Sequence, residues 1–351
     1  MIRSTLFSAI LVLTSAVAYG CELTPTLDQC TTTLPQGGNL ASAIASLTPP
    51  ATLCLQSGST PFVLTSSISI PSNVEIQGLG QKIDTGQQIN GQEIYLPACY
   101  ATTIQAQSSF SGDMFDITST TGIKINNLTI NGNTTTSVGP NTNLTITGGS
   151  SITLSDVQFK NVVRMNLAIN QAQYVTLLHD EFRGMGGGHS TGQGAVGSMW
   201  INNSNHVDVE NANVLGRGNG PGGDGGIDCY GSSSVTINQS NISESGESSI
   251  YTTNSPGQSA CNGIVITNNI IGNSWEWGID TVGLSGANIA NNNISNTYYG
   301  GISMWNDSNN VVQNNQMFNI NTDGSSGDCD VTFQGTNVNN TVVNSGSTCS
   351  K

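Results

Sequence analysis

Between residues 224 and 280 this sequence carries six carboxylates, and five of them, Asp224, Asp228, Glu247, Glu276 and Asp280, recur at matching positions, in a chain with only 22 acidic residues among 351. A repeat spaces them. Gly226-Ile227-Asp228, Ser249-Ile250-Tyr251, Gly278-Ile279-Asp280 and Gly301-Ile302-Ser303 recur at intervals of about 23 to 29 residues. Aligned on the inward apolar residue, the positions that follow it are Trp200, Asp228, Tyr251, Asp280 and Ser303. The positions three before it are Asp224, Glu247, Glu276 and Tyr299. Alternate side chains of a strand face opposite sides, so an inward Ile implies an outward Asp. If successive repeats stack as strands about 4.8 Å apart, the five acids share one outward patch. Crowding of acids raises one pKa and leaves its neighbour charged, which is the division of labour a glycosidase needs. Two strands, or about 9 to 10 Å, separate Asp228 from Asp280, near the spacing of an inverting pair; Asp224 and Glu247, one strand apart, suit a retaining pair.

Aromatic residues fall on the same patch. Trp200, Tyr230, Tyr251, Trp277, Tyr299 and Trp305 lie in or beside the two columns. Flat rings beside carboxylates suit a sugar, whose C–H face stacks and whose hydroxyls hydrogen-bond. Two glycine-rich insertions, residues 183–189 and 216–224, border the columns and bring Arg183, His189 and Arg217 within reach. Each residue also has a plainer reading. A lone outward Asp often satisfies turn amides, Arg217 could pair with Asp224 or Asp228, and Trp275 and Trp277 could pack under a loop. The run at Asn241, Asn269 and Asn292 reads as a structural side-chain ladder. No Lys follows the glycine-rich run, so it does not read as a nucleotide loop.

The elements that must hold these columns are strands. Val235–Ile242, Ile264–Ile271, Ala287–Ile294 and Asn310–Met317 repeat one phrase of alternating apolar residues ending in Asn-rich turns. Such a period is too short for paired helices and predicts a solenoid of strand coils, a parallel β-helix. Related phrases at 123–130, 152–159, 175–182 and 207–214 make about eight recognisable coils. The inward ladders are Ile227, Ile250, Ile279 and Ile302, and separately Ile237, Ile266, Ile289 and Val312. Upstream, residues 39–47 have helical spacing and stop at Pro49-Pro50, a short capping helix. Strands follow at 52–56, 62–64, 67–70 and 74–78, then an irregular insertion over 81–100.

On these repeats, about residues 40 to 345 resemble the right-handed parallel β-helix proteins of the pectin-lyase-like superfamily. The resemblance implies an all-β single solenoid with an N-terminal capping helix. It does not choose a function, because that superfamily holds lyases, hydrolases, epimerases and non-catalytic binding proteins. Asn321-Thr-Asp-Gly324 and Asp328-Cys-Asp330 resemble pieces of the polygalacturonase pattern. They stand a few residues apart where that pattern needs about a coil, and no Gly-His-Gly follows.

Residues 1–20, with Arg3, an apolar run and Ala16-Val17-Ala18, have the layout of a secretory signal, leaving 21–351 as one β-helix domain. Its leading region is about 21–100 and its regular coils about 101–345. A net charge of −14 with 8 Lys and Arg argues against nucleic-acid and anionic membrane partners. Eight cysteines in an exported chain favour disulfides over zinc, and proximity suggests Cys21–Cys30 and Cys329–Cys349. Asn-x-Ser/Thr sites such as Asn127, Asn143, Asn238 and Asn293 arise by chance in so Asn-rich a chain.

The leading expectation is a secreted, extracellular or periplasmic, monomeric enzyme that hydrolyses a polysaccharide without a cofactor. Asp228, Asp280, Glu247, Asp224 and Glu276 supply acid and base, with Arg217 and His189 in reserve. The aromatic residues and Arg183 bind the glycan. A second reading is a polyuronate lyase, with calcium on Asp224, Glu247 and Asp280 and Arg217 or Arg183 as base. A third is a non-catalytic glycan-binding surface protein.

Overall fold

The computed structural model describes residues 30–351 apart from 79, 82–83, 90–91, 96–98, 101, 135–138, 186–197, 216–224, 254–258, 323 and 325–328. The coils wind through parallel strands, each pairing with its equivalent one coil before and after. One face is an eleven-stranded sheet running from Ile68–Ser69 to Thr348–Ser350. The other two faces are joined into a twenty-stranded sheet because two long strands, Thr121–Asn131 and Ser150–Val162, bend from one face to the next.

Inward ladders hold the coils together. In the eleven-stranded sheet Leu167, Met199, Ile227, Ile250, Ile279, Ile302 and Val331 stack in register, all fully buried. Ile237, Ile266, Ile289 and Val312 do the same on a second face. Both expected ladders therefore stand as read. On the third face the rings of Phe159 and Phe182 stack at 5.1 Å, one coil above the other. The apolar residues of each coil stack on those of the coils before and after it, so burial is a property of the stack.

Asparagine serves the corners in two ways. Asn268, Asn291 and Asn314 turn the chain at φ between 54° and 59°, a left-handed conformation that Asn tolerates better than most residues. The next residue forms a buried ladder. Asn292 Oδ1 accepts the Asn269 N–H at 3.0 Å, and Asn315 Oδ1 accepts the Asn292 N–H at 3.0 Å. Their amide groups donate to Ile266 and Ile289 carbonyls in the coil before. The expected ladder is corrected at one end. Asn241 is exposed and receives no turn amide; Ser240 holds that position, its N–H bound to Asn269 Oδ1.

The N-terminal helix spans Leu40–Ala45, capped by the Asn39 side chain, with Leu40 and Ile44 in the common core. Three expectations change. Eleven strands in one sheet exceed the eight coils read from the sequence, because the outer coils carry shorter and less regular phrases. Residues 81–100 contain antiparallel pairs, Asp84–Ile89 with Gln92–Tyr95 and Gly80–Gln81 with Cys99–Tyr100, rather than irregular chain. Cys30 bonds to Cys54, not Cys21, because partners in a solenoid lie about one coil apart. Cys229–Cys261 follows that rule, and Cys329–Cys349 forms as expected. Residues 1–20 lie outside the described residues. Asn143, in a glycosylation-like triplet, is fully buried, and its amide donates to Lys160 and Asn166.

Candidate active site

The outer surface of the eleven-stranded sheet carries the first expected column in register. Trp200 pairs with Asp228, Asp228 with Tyr251, Tyr251 with Asp280 and Asp280 with Ser303. Tyr251 thus separates the two aspartates. Beside this column Tyr299 N–H donates to the Glu276 carbonyl at 3.1 Å, which pairs the last two members of the second one. Buried neighbours flank both aspartates, Ile227 and Cys229 beside Asp228 and Ile279 and Thr281 beside Asp280, so the carboxylates stand on strands anchored in the core.

The expectation that these acids are exposed is corrected. Asp228 is only 6% exposed and Ser303 1%, while Glu247 and Asp280 are half-buried by residue surface. A Cβ on Gly225 would lie 2.6 Å from Asp228 Oδ1, so a glycine there lets backbone pack against the carboxylate. Aromatic rings cover the rest. Trp200 and Tyr230 lie 5.3 Å apart, Tyr230 and Tyr251 6.4 Å edge to face. On the far side Trp277 packs against Tyr299 at 6.3 Å, and a Cβ on Gly300 would collide with its indole.

Burial sets the electrostatics. The Asp280 carboxyl is pushed up to about 6, chiefly by burial, with the Glu276 charge adding. Hydrogen bonds from Ser303 and the Thr281 backbone pull it back. Burial raises Glu276 as well, partly offset by Ser248. Tyr230 is raised far above its ordinary value by burial and then by the Asp228 charge. Tyr251 moves the same way, by burial first; a Thr253 hydrogen bond opposes it and Asp280, Asp228 and Glu247 add to it. Both phenols are therefore neutral donors at any physiological pH.

Other expected members are placed elsewhere. Arg183 is paired with Glu181 and stands in register with Lys160 on the twenty-stranded sheet, off the acid-bearing face. Asp224, Arg217 and His189 lie outside the described residues. Trp305 sits beside the column and is 48% exposed, the most open aromatic of the group. Trp275 and Tyr298 stack on each other at 4.5 Å, spending their faces on packing. Among the described residues no group of three or more His, Cys, Asp or Glu is arranged to hold a metal ion.

Asp307 was not foreseen. It is fully buried on the coil after Asp280. Its Oδ1 accepts the Leu284 N–H at 2.7 Å, its Oδ2 meets the Thr281 hydroxyl, and burial pushes it up to about 6. A turn position gave no period from which to find it. Gln334, whose Nε2 donates to Ser303 Oγ at 3.2 Å, was missed because its neighbouring coil departs from the Gly-Ile-Asp phrase.

The family model described as "Right handed beta helix region" matches residues 197–350. The chain is a right-handed parallel β-helix. Among solved structures it is similar to the mannuronan C-5 epimerase AlgE4 A-module of Azotobacter vinelandii, with a TM-score of 0.65 and 10% identity over 91% of this chain and 97% of that one. It also resembles the Dettilon tailspike protein, with a TM-score of 0.61 and 12% identity over 87% of this chain and 64% of that one. A third likeness is the catalytic domain of a GH87 α-1,3-glucanase in complex with nigerose, with a TM-score of 0.56 and 14% identity over 94% of this chain and 67% of that one. These are likenesses of fold. No curated protein matches the chain in sequence.

Proposed function

We propose that this β-helix is an extracellular carbohydrate-active enzyme that hydrolyses a polysaccharide laid along the outer face of the eleven-stranded sheet. The observation that carries this reading is the column Asp228–Tyr251–Asp280, in register, with Asp280 holding its proton to about pH 6. Asp280 donates that proton to the glycosidic oxygen as the bond to the leaving sugar breaks. Asp228 takes a proton from the water that attacks the anomeric carbon from the other side. Their separation of about two strand spacings, near 10 Å, leaves room for that water and favours inversion. Exposed Trp305 offers a face for sugar stacking, and Tyr230 and Tyr251 donate to its hydroxyls. Solved proteins that share the fold include an epimerase of mannuronan and an α-1,3-glucanase, which supports a glycan as the substrate class. Disulfides suit an exported protein.

The test is incubation with neutral and uronate polysaccharides, with and without EDTA, following reducing ends and the absorbance of unsaturated uronate. Reducing ends without absorbance support hydrolysis. Absorbance lost with EDTA would replace it with a calcium-dependent lyase, and silence on every substrate would favour a glycan-binding protein that does not cut.

A further inference from the structure

Ser303 sits directly across the strand pair from Asp280, one coil on, and is 1% exposed. Its hydroxyl meets two side chains. It is hydrogen-bonded to the Asp280 carboxyl, and Gln334 Nε2, from the following coil, lies 3.2 Å from its oxygen. An amide nitrogen can only donate, so Ser303 Oγ must accept from Gln334. That contact leaves the single hydroxyl proton for Asp280. The three residues thus form a chain with one direction, Gln334 to Ser303 to Asp280, running across three coils.

We infer that Ser303 and Gln334 are positioning residues that aim the Asp280 carboxyl and set how readily it gives up its proton. This inference rests on the reading of Asp280 as the acid. A hydroxyl that donates to a carboxylate stabilises the charged form. Ser303 therefore works against burial, keeping Asp280 a stronger acid than burial alone would leave it. Gln334 keeps the hydroxyl from turning away, because rotation would bring its proton against the amide N–H. The other titratable groups near Asp280 are Glu276 on its own coil, Tyr251 on the coil before and Asp307 on the coil after. The hydrogen bonds that hold the Asp280 charge come from the Ser303 side chain and the Thr281 backbone.

The test is a carbon-13 carboxyl NMR titration of the full chain, with the Asp280 resonance assigned by its loss in Asp280→Asn. Ser303→Ala should move the Asp280 midpoint upward by roughly one pH unit, with the thermal transition retained. Gln334→Leu should move it upward by less. Ser303→Thr, which keeps the hydroxyl, should restore the wild-type midpoint, a result that a merely steric role for Ser303 does not give. An unmoved midpoint in Ser303→Ala overturns the proposal, and an unmoved midpoint in Gln334→Leu removes Gln334 from it. Where a polysaccharide is cut, the alkaline limb of kcat/KM should move with the midpoint in each variant. If none is cut, the hydrolase reading fails while the titration still decides this inference.

Discussion

Asp280 stands on a strand and Asp307 in a turn of the next coil, and each holds its proton for the same reason, burial. Their tasks differ. Asp280 belongs to the outer column of the eleven-stranded sheet, whereas Asp307 closes a turn, taking the Leu284 N–H and meeting Thr281. Thr281 also lies 2.8 Å from the Ser303 carbonyl. One hydroxyl has one proton, so a proton on Asp307 satisfies both of its contacts. Asp307→Asn reproduces the protonated acid in shape and donors. It should leave the melting temperature at about pH 3.5 unchanged and raise it at about pH 7.5, as thermal scans at the two pH values would show. Asp307→Ala should lose about 1–3 kcal/mol at either pH in denaturant titrations, because it strands a buried N–H.

The strand ladders decide how much of this site could be read beforehand. A period of two fixes which side each residue takes, and Ile227, Ile250, Ile279 and Ile302 mark it without ambiguity, so the pairing of Asp228, Tyr251 and Asp280 followed from the sequence. Burial of Asp228 did not follow, since the Gly225 backbone packs against it and Trp200 and Tyr251 flank it in register, and a column says nothing about what lies over it. The Asn ladder was misplaced by one residue at Asn241. Runs of Asn hide the difference between the left-handed turn residue and the one after it that reaches the next coil. Cys30 misled for a related reason: nearness along a solenoid chain is nearness along a coil, while disulfide partners meet between coils. Two predictions belong here. Ile279→Asp should lower unfolding free energy by several kcal/mol or prevent folding, as denaturant titration would measure, because it buries a charge between stacked coils. Asn292→Ala should cost roughly 2–4 kcal/mol by the same measurement, since it leaves the Asn269 amides without their acceptor and the Ile266 carbonyl without its donor.

At the scale of the whole molecule, a net charge of −14 and buried acids give stability a definite pH dependence. Asp280 and Asp307, raised to about 6, keep protons that the unfolded chain releases near pH 4. Stability from these groups is complete below about pH 4 and is lost as pH rises through 6, by up to about 3 kcal/mol for Asp280. Melting temperature should therefore fall between pH 4 and 7, and the slope should shrink in Asp280→Asn. The proposed hydrolysis draws on the same proton. The most direct measurement is reducing-end release from the cleaved polysaccharide by wild type and by Asp280→Asn, at pH 5 and matched folded concentration. Asn in place of the acid should cut turnover by roughly 10²–10⁴-fold while the melting temperature at pH 7 holds or rises. Turnover in Asp280→Asn equal to wild type would contradict the assignment of Asp280 as the proton donor.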